Sequence, residues 1–242
     1  MDYTKLNNKA ATATTTNDGL RAYMLSVYNY MTLALGVTGI VALFASSSPA
    51  IMALLYTNDG GKIGMAPLGW VVMFAPFIMV FILGAGISKM RARTAQVVFW
   101  AYAGMMGLSL TSIFLIYTGT SIASTFFITA SVFGAMSLYG YTTKSDLTGM
   151  GSFMMMGLIG VILTSLVNMF LHSAGLQFAI SILSVGIFVG LTAYDTQKIK
   201  AFYYASYDQE SASKNAVLGA LTLYLDFINL FISLLRLFGD RR

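Results

Sequence analysis

The sequence predicts an all-α membrane protein, a bundle of seven transmembrane helices. Of its 242 residues 57% are hydrophobic and only 10% are charged. An ordinary soluble domain carries about 25% charged residues, so this chain has too few to coat a water-exposed surface. Mean hydropathy is +0.74. The apolar residues also fall into seven continuous stretches, each near the roughly 20 residues that an α-helix needs to cross a hydrocarbon core. With no water there to satisfy the backbone, each stretch must be helical. The runs are continuous rather than alternating over about ten residues, which excludes an outer-membrane barrel.

Residues 1–21 form a polar tail, expected to be flexible, and residues 22–242 form a single membrane domain. The start, MDYTKLNNKAATATTTNDGLRAY, lacks the charged-then-apolar pattern of a cleaved signal peptide, so the first span acts as the insertion signal. The spans are Tyr23–Phe44, Leu68–Ile87, Ala95–Tyr117, Ser121–Tyr141, Met150–Leu171, Leu176–Asp195 and Ala216–Phe238. Pro76 is placed to kink the second. Most connections are short, so neighbouring helices pack antiparallel. Two are longer. Residues 45–67 hold the turn formers Pro49, Asn58-Asp59-Gly60-Gly61 and Pro67. Residues 196–215, TQKIKAFYYASYDQESASKN, mix charge with aromatics and are expected to lie at the membrane interface.

Basic residues set the orientation. With the N-terminus in the cytoplasm, ten fall inside: Lys5, Lys9, Arg21, Lys89, Arg91, Arg93, Lys144, Lys198, Lys200 and Lys214. Four fall outside: Lys62, Arg236, Arg241 and Arg242. The excess supports N-inside. A last segment that dipped in and returned would move the three terminal arginines inside as well. Residues 216–238 are long enough to cross, so a full span is expected. The net charge of +5 is then a matter of topology, and the partner it implies is the lipid bilayer, with no nucleic acid.

There are no cysteines, which excludes disulfides, thiolate metal sites and cysteine nucleophiles. The one histidine, His172, cannot make a multi-histidine metal site. It is expected as an interfacial residue in a short loop. Gly186 and Gly190 make a small-xxx-small pattern in the sixth span, and Gly157, Gly160, Gly104 and Gly107 lie in the fifth and third. These suit close helix packing inside one bundle. The expected state is a monomer or a weak homo-oligomer.

The chemistry lies inside the membrane. Thr222, Asp226, Asn229, Ser233 and Arg236 fall within about 80° of one another around the seventh helix, and the opposite side is Leu, Phe and Ile. So polar a stripe belongs against the bundle interior or a water-filled path. The other aspartate in a span is Asp195, ending the sixth helix, on a face with Ser181, Ser184 and Thr192. An intramembrane carboxylate serves as a structural ion-pair partner, a proton site, a cation ligand or a catalyst. Two carboxylates that meet share a proton, because both cannot ionise cheaply side by side. Oxygen donors without histidine or cysteine favour calcium over zinc or copper.

The run LYLDFINLFISLLRLFG at 223–239 closely resembles the last span of the Bax-inhibitor-1 family of small membrane proteins, bacterial branch. AYDTQKI at 193–199, GLSLTSIF at 107–114 and the seven short-looped spans support the resemblance. It covers the chain from about Arg21. It implies a bundle with the last helix at its centre; separately, the lack of protease motifs leads to an expectation of no enzymatic activity. The resemblance also implies a pH-sensitive calcium leak, gated by an aspartate pair near the cytoplasmic mouth. The pair maps onto Asp195 and Asp226, which serve as pH sensor, ion gate and ligands of the passing metal. Calcium is cargo, and no cofactor is implied. A basic residue ending the second span latches onto the pair. Here Lys89, Arg91 and Arg93 are the candidates, with Arg91 preferred.

Two alternatives accompany this expectation. Family members are associated with a membrane-bound protease in bacteria and with cell-death suppression in eukaryotes, so a regulator binding a membrane protease is one. A calcium–proton exchanger is the other, disfavoured because no inverted repeat is evident. An intramembrane aspartyl protease would fit Tyr194-Asp195. It would also need Gly-x-Gly-Asp at the second aspartate and a later Pro-Ala-Leu, whereas Leu223-Tyr224-Leu225 precedes Asp226 and no proline follows Pro76.

Overall fold

A computed structural model describes the backbone of residues 3–59 and 62–242, and the side chains of residues 18–57 and 64–242. In chain order the elements are α1 (Tyr3–Ser47), α2 (Pro49–Leu55), β1 (Tyr56–Asp59), β2 (Lys62–Met65), α3 (Pro67–Gly86), α4 (Ala92–Ser109), α5 (Thr111–Ile116), α6 (Gly119–Thr142), α7 (Thr148–Leu171), α8 (Ala174–Tyr204) and α9 (Gln209–Phe238). Among the described residues seven segments are long and apolar enough to span a membrane. They are the seven stretches of the sequence, with the third built from α4 and α5 around a step at Leu110. The chain is therefore an all-α membrane protein. The part of α1 that qualifies as a span begins at Asp18. For the tail expected over 1–21, the side chains of residues 1–17 lie outside the described residues, while the α1 backbone is helical from Tyr3.

The long connection 45–67 folds as α2 followed by an antiparallel hairpin of β1 and β2, with Tyr56 opposite Met65. Pro76 lies buried inside α3, which runs without a break. His172 ends α7 in the left-handed conformation (φ 51°) and is exposed in the short turn into α8.

The connection expected over 196–215 is a correction. α8 continues nine residues past Asp195, and only residues 205–208 separate it from α9. The segment TQKIKAFYY keeps a helical apolar face, with Ile199 buried and Phe202 half-buried. The Lys200 ammonium reaches out to donate to the Tyr141 carbonyl at 2.9 Å. α9 then begins early because Asp208 caps it, its carboxylate accepting from the Ser211 amide at 2.7 Å. Asp195 consequently sits well inside α8 rather than at its end.

α9 is the most enclosed of the seven spans. In its most apolar window 72% of residues are buried, against 6–39% in the others. It packs on α1, α4, α6 and α8, while α3 packs chiefly on α4, and α7 on α8. Around α9 the core is aromatic and close-fitted: the Tyr224 ring meets Tyr102 edge-on at 5.5 Å and Phe99 at 6.4 Å. Association of helices in lipid depends on such packing rather than on expulsion of water. It also depends on small residues. A side chain at Gly140 of α6 would overlap the Ala193 backbone of α8. Gly190 takes the Met154 side chain of α7, and Gly157 takes Ile187. Half of the Gly186/Gly190 pattern is thus used inside the bundle.

The two ends of the bundle differ. One end holds the basic turn 87–91, the 143–147 turn and the 205–208 turn; it is called here the basic end. The opposite end holds the hairpin and the 117–118 turn. α9 crosses from one to the other. At the basic end Lys214 donates to the Ser88 carbonyl at 3.5 Å. At the hairpin end Arg241 pairs with Tyr117, the Arg242 amide donates to the Ile116 carbonyl at 2.9 Å, and the Thr118 amide donates to the Asp240 carbonyl at 3.1 Å. The last segment therefore traverses the bundle and does not turn back.

Candidate functional site: a buried carboxylate pair

The α8–α9 hairpin sets the register of the site. Gly219 packs directly against Ile199, and Asn215 donates to the Phe202 carbonyl at 3.5 Å and to Ser206 Oγ at 3.0 Å. Continuing this antiparallel register brings Asp226 of α9 opposite Asp195 of α8. Asp226 lies 18 residues past its cap and Asp195 only nine from the end of α8. They meet because the first turns of α9 project past the end of α8 to reach α4. The sequence alone does not reveal that offset.

The two buried carboxyl groups are close enough to act on each other electrostatically. Asp195 is 8% exposed and Asp226 5%. A carboxylate only accepts hydrogen bonds, so a bond between two carboxyls requires a proton on one of them. Asp226 Oδ2 is buried and has no hydrogen-bond partner among the described residues. An orphaned carboxylate oxygen in such surroundings is costly, which makes it a natural seat for a proton or a cation. The charge beside Asp195 is Lys198, one turn farther along α8. Its ammonium is exposed and lies 5.8 Å from the Tyr194 ring and 5.9 Å from that of Phe202.

The polar stripe of α9 is not turned into the bundle as a whole: it lies along the less buried side of a helix whose opposite, apolar side is fully buried, and only two of its five members are buried. Asp226 and Ser233 are buried, Thr222 and Asn229 half-buried, and Arg236 exposed. Its members satisfy their donors within the helix. Thr222 bonds the Leu218 carbonyl at 3.0 Å, Asn229 the Leu225 carbonyl at 2.8 Å, and Ser233 the Asn229 carbonyl at 2.7 Å. Ser181, Ser184 and Thr192 of α8 do the same. A hydroxyl that donates to its own helix keeps oxygen lone pairs for a cation or a water. Among the described residues no three His, Cys, Asp or Glu side chains converge on one point. A calcium ion at Asp195 and Asp226 would complete its shell from carbonyls, hydroxyls and water, as hard cations do.

Arg91 forms no ion pair with Asp195 or Asp226 among the described residues. It is exposed at the N-cap of α4, with Lys89 and Arg93 also exposed on either side. The group that contacts the start of α4 is Glu210, whose Oε1 accepts from the Ala92 amide at 2.6 Å. Sequence reasoning missed Glu210 and Lys198. It also missed two hydroxyl bridges between helices: a buried one of Thr38 with Tyr224 at 2.7 Å, and a partly buried one of Tyr28 with Ser137 at 2.6 Å, the latter continuing to Thr196 at 2.9 Å. Each is a polar residue inside an apolar span, the same signal that exposed Asp226, but uncharged and so easily overlooked.

Relatives of known sequence cover almost the whole chain. The family model described as "Inhibitor of apoptosis-promoting Bax1" matches residues 20–242. An uncharacterized protein of Rickettsia prowazekii is 50% identical over 242 residues, 100% of this chain and 99% of its own length. Inner membrane protein YbhL of Escherichia coli K12 is 50% identical over 226 residues, 93% of this chain and 94% of its own. An uncharacterized membrane protein of Streptococcus pyogenes is 35% identical over 223 residues, covering 91% and 93%. Seven membrane-spanning helices, the buried carboxylates on the last two, and a family match across all seven spans lead to one assignment: the chain belongs to the Bax inhibitor-1 family of integral membrane proteins.

Proposed function

We propose that this chain is a pH-sensitive calcium leak channel of the bacterial inner membrane, N-terminus in the cytoplasm, with Asp195 and Asp226 as its proton sensor and ion gate. The observation that carries this reading is the burial of two coupled carboxyl groups, Asp195 and Asp226, on the packed helices α8 and α9. Their protonation state changes the charge of the ion path itself. When the pair is ionised it attracts a cation, either calcium or a basic side chain at the mouth. A basic side chain tied to the pair blocks the path and compensates its charge. Protonation weakens that tie, so acidification opens the path and alkaline pH holds it shut. Its lying one turn along α8 from Asp195 supports Lys198 in this role. Arg91, with Lys89 and Arg93, supplies the mobile alternative from the start of α4. The hydroxyl and carbonyl oxygens along α9 and α8 offer a passing ion ligands of the kind calcium takes.

The test is calcium flux into liposomes containing purified protein, measured against pH and membrane potential. Asp226→Asn keeps the size of the side chain and removes its titration. The flux of this variant is expected to lose most of its pH dependence. A well-folded Asp226→Asn protein with flux and an unchanged pH response would overturn the sensor role. Wild-type protein that passes no calcium at any pH would overturn the channel, in favour of a regulator that acts through a membrane protease.

A further inference from the structure

We propose that the groove between α1 and α6 is a binding site for an anionic glycerophospholipid, with one acyl chain in the groove and the phosphate between Arg21 and Lys200. The groove encloses about 620 Å³, within the range of about 300–1,000 Å³ typical of ligand sites. Its walls are the facing sides of two spans, so it opens to hydrocarbon and not to water. Met24, Leu25 and Met31 line it from α1, and Phe133 and Leu138 from α6. From Arg21 to Met31 the groove runs about 15 Å along α1, the reach of an acyl chain and not of a headgroup. Methionine supplies an adaptable wall for a flexible chain.

Polar groups are confined to two places. Across the groove Tyr28 and Ser137 join α1 to α6 by a hydrogen bond of 2.6 Å, and each already has its partner. At the basic end the wall carries Arg21 and Tyr141. Lys200 is pinned there, its ammonium 2.9 Å from the Tyr141 carbonyl and 5.1 Å from the centre of the Tyr141 ring. Arg21 thus lines the mouth, and Lys200, held on Tyr141, lies next to that wall at the basic end of the bundle. The acidic side chain described nearest on α1 is Asp18, exposed and one turn nearer the N-terminus. An apolar groove with cations at one end matches one ligand chemistry, an acyl chain ending in a phosphate. Basic pockets between spans on the cytoplasmic side are where anionic headgroups bind.

The test is lipid retention, read by native mass spectrometry of the full chain released from nanodiscs of equal parts phosphatidylglycerol and phosphatidylcholine. Wild-type protein should retain phosphatidylglycerol over phosphatidylcholine by about fivefold or more, the factor expected from a single cation beside an anionic headgroup. Arg21→Gln with Lys200→Gln should bring the two lipids to parity while retaining some of both. Gly134→Trp should lose both, because Gly134 borders the groove and open space faces its Cβ position. Thermal unfolding in detergent establishes that each variant folds. Equal retention of the two lipids by wild-type protein would overturn the site. So would unchanged selectivity in the charge variant, or full retention of lipid by folded Gly134→Trp.

Discussion

Glu210 of α9 accepts a hydrogen bond from the Ala92 amide of α4 at 2.6 Å, so the first turn of the last helix caps the third span. A carboxylate at a helix N-terminus satisfies an orphan N–H and meets the positive end of the helix dipole. Through this contact the segment that carries Arg91 is tied to the helix that carries Asp226. Glu210→Ala should therefore lower stability by about 1 kcal/mol. It should also speed amide exchange at Ala92 more than at the start of α6, which Thr118 caps independently. Equal exchange at the two sites would show that the contact does not hold α4.

Removal of the cations at the mouth separates a latch from simple topology. Lys198 lies beside Asp195, and Arg91 stands exposed at the α4 N-cap. In the flux assay Lys198→Ala should raise calcium leak at neutral and higher pH and shift its pH midpoint. Arg91→Ala should act in the same direction to a smaller extent, because it must travel to reach the pair. If Lys89→Ala, Arg91→Ala, Arg93→Ala and Lys198→Ala all keep the wild-type midpoint, these residues only orient the protein.

Asp208 gives an acid-side test at the turn before α9. The Ser211 hydroxyl and amide beside it hold its carboxyl below the usual carboxylate range. Because the folded-state value is depressed, the cap contributes its stability above the ordinary carboxylate pKa. It loses that contribution as pH falls through the lower folded value. Between about pH 6 and about pH 3, wild-type Tm should fall more than that of Asp208→Asn, which keeps an acceptor oxygen but does not titrate. Parallel declines would remove Asp208 as a source of the acid sensitivity.

Gly140 should tolerate no side chain. A Cβ there meets the Ala193 backbone of α8, two residues before Asp195. Gly140→Leu should cost at least about 1–3 kcal/mol and disturb the pH response, since it wedges α8 away from α6. Gly134, on the same helix with open space at its Cβ, is the control. Gly134→Ala should be neutral or stabilising by up to about 1 kcal/mol. A thermal melt of the two variants decides the matter, and equal melting temperatures would show that α6 and α8 do not need the close approach.

The sequence by itself determined the seven spans, because hydropathy over about 20 residues is a local property that a bilayer enforces. It also singled out Asp195 and Asp226, since a carboxylate in an apolar run is conspicuous without any knowledge of its neighbours. It misplaced the end of α8, because TQKIKAFYY is too polar to read as a span and yet continues the helix on an amphipathic face. The meeting of the two aspartates was decided only by the tertiary structure. The register between α8 and α9 depends on which small residue admits which neighbour, as Gly219 admits Ile199, and on how far α9 runs past α8 to reach Ala92. The same holds for Glu210 at the start of α4 and for the groove between α1 and α6. Each joins residues from turns or helices whose relative placement is fixed by packing, and no local pattern in the chain encodes it.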